Sequence, residues 1–225
     1  MSIFEGLHKV IRLVPAVLLV IPFTHAQERS SPPAIVSRSC SGCHGIDGKS
    51  QLPYVPRLAG QSSAYLERKL ATFRIAGSSP VDEAIIRIVH IGSGGRDTGF
   101  SGSATVQMVG VANRMSDKDI REAAQWYAAQ QPAHRKTGNA KAMEEGKSLY
   151  INGLQSRHLP ACQTCHGTEA RGTDIAPALA GQNAAYVLSR LAFFRAGDSD
   201  SPMRDVARSL ESDQARAVAA YLQSH

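Results

Sequence analysis

Cys40-Ser41-Gly42-Cys43-His44 and Cys162-Gln163-Thr164-Cys165-His166 share one pattern: two cysteines a helical turn apart, with a histidine directly after the second. Between them they use all four cysteines of the chain. Outward from these motifs the two halves stay in step. At an offset of 121 residues, Pro56-Arg57-Leu58-Ala59-Gly60-Gln61 meets Pro177-Ala178-Leu179-Ala180-Gly181-Gln182. Positions 56 to 75 carry 11 identities in 20 in this register, among them Tyr65 with Tyr186, Leu70 with Leu191, Phe73 with Phe194 and Arg74 with Arg195. The cysteine motifs match at an offset of 122 and Met108 matches Met203 at 95, so the first half holds 26 extra residues (121 − 95) between Phe73 and Met108. This is a duplicated domain with one insertion, unlike the short periods of solenoids.

C-x-x-C-H is a haem attachment motif. Two thiols one turn apart can add to the vinyl groups on one side of a porphyrin, and the adjacent histidine then lies under the iron. The competing readings fit less well. A thioredoxin-type pair does not call for two copies, each followed by histidine. One zinc site would have to join pairs more than 100 residues apart in separate repeat units. Two disulfides closed within C-x-x-C would be odd staples. The motifs therefore imply two covalent haem c groups, attached at Cys40, Cys43, Cys162 and Cys165, with His44 and His166 as axial ligands.

The repeat nominates the second ligand. Of Met108, Met115, Met143 and Met203, only Met108 and Met203 fall at equivalent positions ahead of a closing helix. Met115 aligns with Leu210 and reads as core. In the first half His90, inside the insertion, competes with Met108 for the iron.

The secondary structure implied is helical throughout. Ser62 and Asn183 stand as N-caps before helices with apolar faces Leu66, Leu70, Phe73 and Val187, Leu191, Phe194, ending near Gly77 and Gly197. Closing helices follow from Ile120, Ala123, Ala124, Tyr127 and from Ala215, Val218, Ala219, Leu222, spaced i, i+3, i+4, i+7, with Ser116 and Ser212 as caps. A helix over about 142–152 opens the second half; its counterpart before Cys40 is shorter. No alternating strand pattern of useful length occurs, so the fold class is all-α. The expected domains are 27–130, with an insertion at about 78–107, and 141–225, joined by a polar linker over 131–140.

Lys9 and Arg12, the apolar run Leu13 to Phe23 and the small-residue site Thr24-His25-Ala26 read as a signal peptide over 1–26. That run of 11 residues is far short of the roughly 20 needed to span a bilayer. The expectation is an exported, periplasmic protein, not membrane-spanning after cleavage, free or held at a membrane by a partner. Only 6% of the residues are aromatic. Two small domains with so few large rings have thin cores, which a bound cofactor would complete. The formal charge is +6, and its excess lies early: residues 27–140 hold 14 basic and 9 acidic residues, residues 141–225 hold 9 of each. Export and the scatter of the basic residues argue against nucleic acid. Steering toward an acidic protein surface is the better reading.

The attachment motif, the Pro-x-Leu-Ala-Gly-Gln hexapeptide, the helix with Tyr and Phe-Arg, and the late methionine before a closing helix resemble class I cytochromes c. Two such units in tandem after a signal peptide resemble the two-domain dihaem cytochromes of the c4 type, over nearly the whole mature chain. The resemblance implies two class I domains, each wrapped around one haem, with His44 and Met108 on one iron and His166 and Met203 on the other. It also implies that the carbonyls of Pro56 and Pro177 accept a hydrogen bond from the ligand histidines, fixing their tautomer. The function implied is single-electron transfer between respiratory partners such as a terminal oxidase, a cytochrome bc complex or a periplasmic dehydrogenase, without substrate chemistry. The alternatives are a dihaem oxidoreductase, of the thiosulfate dehydrogenase or peroxidase-like kind, and a cytochrome subunit of a periplasmic dehydrogenase. The first of these would require a haem that lacks its methionine.

Overall fold

Each half of the fold carries its cysteine motif at a short helical turn. In the computed structural model, which describes residues 31–75, 102–134, 139–197 and 201–225, the first half runs through a π-helical turn Val36–Cys40, α1 (Ser41–His44), α2 (Ser63–Ile75), α3 (Gly102–Ala112) and α4 (Asp117–Ala128). The second runs through α5 (Ala140–Asn152), a 3-10 turn Gln155–Arg157, α6 (Gln163–His166), α7 (Ala184–Ala196), α8 (Met203–Ser209) and α9 (Ser212–Ser224). Among the described residues the only β pairing outside these helices is an isolated bridge between Leu154 and Leu159. Gly77, His90 and most of the insertion lie outside the described residues. The part that is described, 102–107, is helical and lengthens α3 ahead of Met108.

Each half has its own core. Ile35, Val36, Leu66, Met115, Ile120, Ala123, Ala124 and Tyr127 form the first. Leu149, Tyr150, Leu159, Val187, Leu191, Leu210, Val218 and Leu222 are the main members of the second. Met115 and Leu210 are both deeply buried, at 5% and 4% exposure, as expected of aligned core positions. In the second half the opening helix supplies what the thin composition lacks. Gly146 lets α5 lie directly on the backbone of α9 at Ala217, and Tyr150 stacks at a tilt on Tyr221, with ring centroids 5.6 Å apart.

The helix starts are partly as expected. Ser116 forms a capping box with Asp119: its hydroxyl accepts from the Asp119 N–H at 3.1 Å, and the Asp119 carboxylate accepts from the Ser116 N–H at 2.9 Å. Ser62 caps α2 by accepting from Tyr65 N–H at 3.3 Å. Two caps differ. Glu211, not Ser212, is the N-cap of α9, in a box with Gln214 whose side-chain oxygen accepts from the Glu211 N–H at 2.9 Å. Asn183 precedes α7 but does not cap it with its side chain. Its amide donates instead to Leu52 O of the other half at 3.1 Å, and Gln223 takes over at the helix start by accepting from Ala184 N–H at 2.9 Å.

Pro32–His225 packs as one compact unit, and the repeated hexapeptides are where its halves meet. The N–H of Gly60 donates to Tyr127 O at 3.0 Å, and that of the matching Gly181 to Leu222 O at 2.8 Å, so each hexapeptide is tied to the end of its own closing helix. Both glycines have positive φ, 72° and 68°, and the chain leaving α4 runs over both: a Cβ at Gly60 would meet Pro132 at 2.6 Å, and one at Gly181 would collide with the carbonyl of Ala133.

Candidate haem sites

Each half draws two thiols and an imidazole from barely more than one turn of chain: Cys43 and His44 lie on α1 and Cys165 and His166 on α6, with Cys40 and Cys162 at the N-caps. The turn ends at a glycine with positive φ, Gly45 at 80° and Gly167 at 81°, which swings the following loop back past the histidine. That loop then delivers the proline of the hexapeptide. His44 Nδ1 lies 2.9 Å from Pro56 O, and His166 Nδ1 lies 2.8 Å from Pro177 O, so each ring donates its Nδ1–H to a carbonyl. Both imidazoles are buried, at 8% and 7% exposure. Burial holds their pKa values below the ordinary histidine range, against the opposing pull of the proline carbonyls. A neutral ring with its proton on Nδ1 leaves a lone pair on Nε2, and among the described residues nothing hydrogen-bonds to that atom in either ring. This is the state a histidine needs to ligate iron.

The thiols fit covalent attachment. All four are unpaired, and in each motif the first cysteine is partly buried and the second exposed. Burial pushes the Cys40 and Cys162 thiols up to about 11, helped at Cys40 by the Asp119 carboxylate, so neither is a ready thiolate. Among the described residues no group of three or more His, Cys, Asp or Glu is arranged to hold a metal ion. A porphyrin brings its own four nitrogens and needs only axial ligands from the chain.

Met108 stands on α3 and Met203 opens α8, both half-buried, with Met203 packed against the second core. One turn on, Ala112 and Ala207 are both fully buried and keep the 95-residue offset (112 + 95 = 207), so α3 and α8 share a register.

Further residues hold the motif loops, and sequence reasoning did not single them out for this. Ser50 Oγ donates to Cys43 O at 2.8 Å and Thr173 Oγ1 to Cys165 O at 2.7 Å, a matched pair of loop locks. Tyr127 donates to Gly45 O at 3.1 Å, and Tyr150 to Gly167 O at 2.6 Å. These tyrosines are not equivalent by the repeat: Tyr127 comes from the closing helix α4, Tyr150 from the opening helix α5. Among the described residues the first half has no long opening helix, and its closing helix supplies the hydroxyl instead. Gly48, at φ 73°, has no room for a side chain: a Cβ there would meet the backbone N of Ala59 at 2.6 Å and the Tyr127 ring at 2.9 Å. Its counterpart Ala170 adopts φ 51° with its methyl buried, near a site whose hydroxyl comes from elsewhere.

Burial raises both phenol pKa values above the ordinary tyrosine range. The unfolded chain then releases these protons first, so their contribution to stability is complete below pH ~10 and is lost as pH rises from there through the folded values. Tyr150→Phe is expected to cost about 1 kcal/mol at neutral pH through the lost bond to Gly167 O. It should also flatten the alkaline fall in stability. Denaturant midpoints at neutral and strongly alkaline pH check both; an unchanged alkaline slope would refute the burial argument.

Comparison with known proteins agrees with this geometry. The cytochrome c family model matches residues 33–130 and again 143–225. Cytochrome c4 of Stutzerimonas stutzeri is 34% identical over 191 residues, covering 82% of this chain and 83% of that protein. A protein of the same species named as a thiosulfate dehydrogenase electron acceptor is 29% identical over 206 residues, covering 88% and 82%. The crystal structure of reduced recombinant cytochrome c4 from Pseudomonas stutzeri superposes with a TM-score of 0.66 at 28% identity, covering 86% of this chain and 99% of that one. With two tandem domains, two such motifs and these relatives, the chain belongs to the cytochrome c family, with the two-domain dihaem cytochromes of the c4 type, and carries two covalently bound haem c groups that serve electron transfer.

Proposed function

We propose that this chain is an exported, periplasmic electron carrier that passes single electrons between respiratory partners. In this reading residues 1–26 are removed on export, and domains 27–130 and 141–225 each hold one haem. Cys40 and Cys43, and Cys162 and Cys165, bind it through thioethers. His44 with Met108 and His166 with Met203 ligate the irons, and the carbonyls of Pro56 and Pro177 orient the imidazoles. The haem supplies the ferrous–ferric couple. The protein supplies a fixed ligand geometry in both states and, through the methionines, a raised potential.

The observation that carries the reading is the pair of buried imidazoles, each bonded at Nδ1 and without a hydrogen-bond partner at Nε2 among the described residues. No described helix is long and apolar enough to cross a membrane. The early excess of basic residues supports docking on acidic partner surfaces such as those of an oxidase, a bc complex or a dehydrogenase. The relative named as a thiosulfate dehydrogenase electron acceptor favours the dehydrogenase among them. The testing measurement is the spectrum of the oxidised holoprotein, with the weak far-red band of methionine-to-ferric-iron charge transfer quantified per haem. Intensity for two methionine-ligated haems is expected. Intensity for one, or a high-spin signature, would remove Met108 or Met203 from the iron and favour a catalytic haem.

A further inference from the structure

The peptide that accepts the ligand histidine in one domain is gripped by a glutamine from the other. Pro56 O, the acceptor for His44, belongs to the same peptide group as Arg57 N–H, which donates to Gln182 Oε1 at 2.9 Å. Gln182 Nε2 then donates to Arg57 O at 3.1 Å. The arrangement repeats with the domains exchanged. Pro177 O, the acceptor for His166, shares its peptide with Ala178 N–H, which donates to Gln61 Oε1 at 3.0 Å, and Gln61 Nε2 donates to Ala178 O at 3.3 Å. Each glutamine oxygen is also anchored within its own domain by the next residue's N–H, Ser62 at 3.1 Å and Asn183 at 2.9 Å. Both glutamines are buried at 6% exposure, so water does not compete for these contacts.

We propose that Gln61 and Gln182 are positioning residues acting across the domain boundary, each setting the ligand strength of the histidine on the other domain's haem. The inference rests on His44 and His166 being the iron ligands. A peptide whose N–H is engaged carries more negative charge on its oxygen, and hydrogen bonds in such a chain strengthen one another. A stronger acceptor at Pro56 O draws the Nδ1 proton of His44, makes the imidazole a better donor to iron, and favours the ferric state. Loss of Gln182 should therefore raise the potential of the haem at Cys40 and Cys43, and loss of Gln61 that of the haem at Cys162 and Cys165. The two sites are thus linked through bonds, apart from any electrostatic effect of one haem charge on the other.

The test uses the holoprotein with Gln182→Met or Gln61→Met, side chains of similar length without the amide, and Asn183→Ala as a control that removes a cross-domain bond away from both acceptor peptides. In the half-reduced protein, NMR of the haem methyls, assigned by domain, reads where the electron resides. Gln182→Met is expected to move that distribution by about threefold toward the first haem and Gln61→Met by a similar factor toward the second. Shifts confined to the substituted domain's own haem, equal shifts at both, no shift, or the same pattern from Asn183→Ala would each overturn the proposal. Should Gln182→Met not fold, Gln182→Asn keeps the amide but withdraws it from Arg57 and carries the same expectation. The ligand set is tested separately in the unaltered ferrous protein. Absence of ring-current-shifted signals from the His44 and His166 rings would refute that assignment whatever the glutamine variants do.

Discussion

Leucine in place of Gly146 is expected to lower the unfolding free energy of the holoprotein by about 3 kcal/mol, the upper end of overpacking costs. The reason is the nature of what stands in the way. A Cβ at Gly146 would overlap the carbonyl group of Ala217 and approach the Cβ of Tyr221 at 2.9 Å. A flexible side chain could swing aside, but backbone inside α9 cannot, so α5 and α9 must separate. Their separation would pull Tyr150 away from Tyr221 and from Gly167 O, and so loosen the loop that follows His166. Guanidinium denaturation followed by circular dichroism measures the loss, and the absorbance of the second haem should change in the same transition. A midpoint equal to that of the unaltered protein would show that the two helices do not cross at this residue.

Arg57→Met should separate the unfolding of the two domains. Arg57 is 6% exposed; its guanidinium donates to Gly181 O at 2.6 Å in the second domain and to Ser50 O at 3.3 Å in the first. Methionine keeps much of the stem and removes the charge-assisted bonds, leaving carbonyls at a buried boundary without those donors. The expected cost is about 2–3 kcal/mol. The matching residue of the second domain is Ala178, so no symmetry-related arginine compensates. Because the contact spans the boundary, its loss is expected to give two denaturation steps, each tied to one haem, against a single step expected for the unaltered protein, whose halves pack as one compact unit. A single transition at an unchanged midpoint would mean that the interface does not depend on this side chain.

The chemistry and the helical class were legible because their signals are local in the chain. Cysteine and histidine spacing, the apolar faces of Ile120 to Tyr127 and Ala215 to Leu222, and the in-register repeat all lie within short windows whose side chains carry the information. The Pro-x-Leu-Ala-Gly-Gln repeat marked a shared constraint without naming it. Its proline bonds the histidine, its glycine admits the closing helix and the passing linker, and its glutamine grips the other domain. The partners of that glutamine are backbone groups at Arg57 and Ala178, 125 and 117 residues away. A backbone N–H or C=O is chemically alike at every non-proline residue, so no sequence pattern identifies it.

The same reason accounts for the other differences. Asn183 resembles a cap, but a carbonyl of the neighbouring domain at Leu52 offers its amide a partner across the boundary. The lock on the glycine after each histidine comes from α4 in one domain and α5 in the other, because what matters is a phenol oxygen reaching Gly45 O or Gly167 O, whatever helix carries it. By itself the sequence determined that this is a duplicated, all-helical chain built to carry two haems. The tertiary structure decided how those sites are braced and joined, since contacts made to the backbone through space leave no mark on residue order.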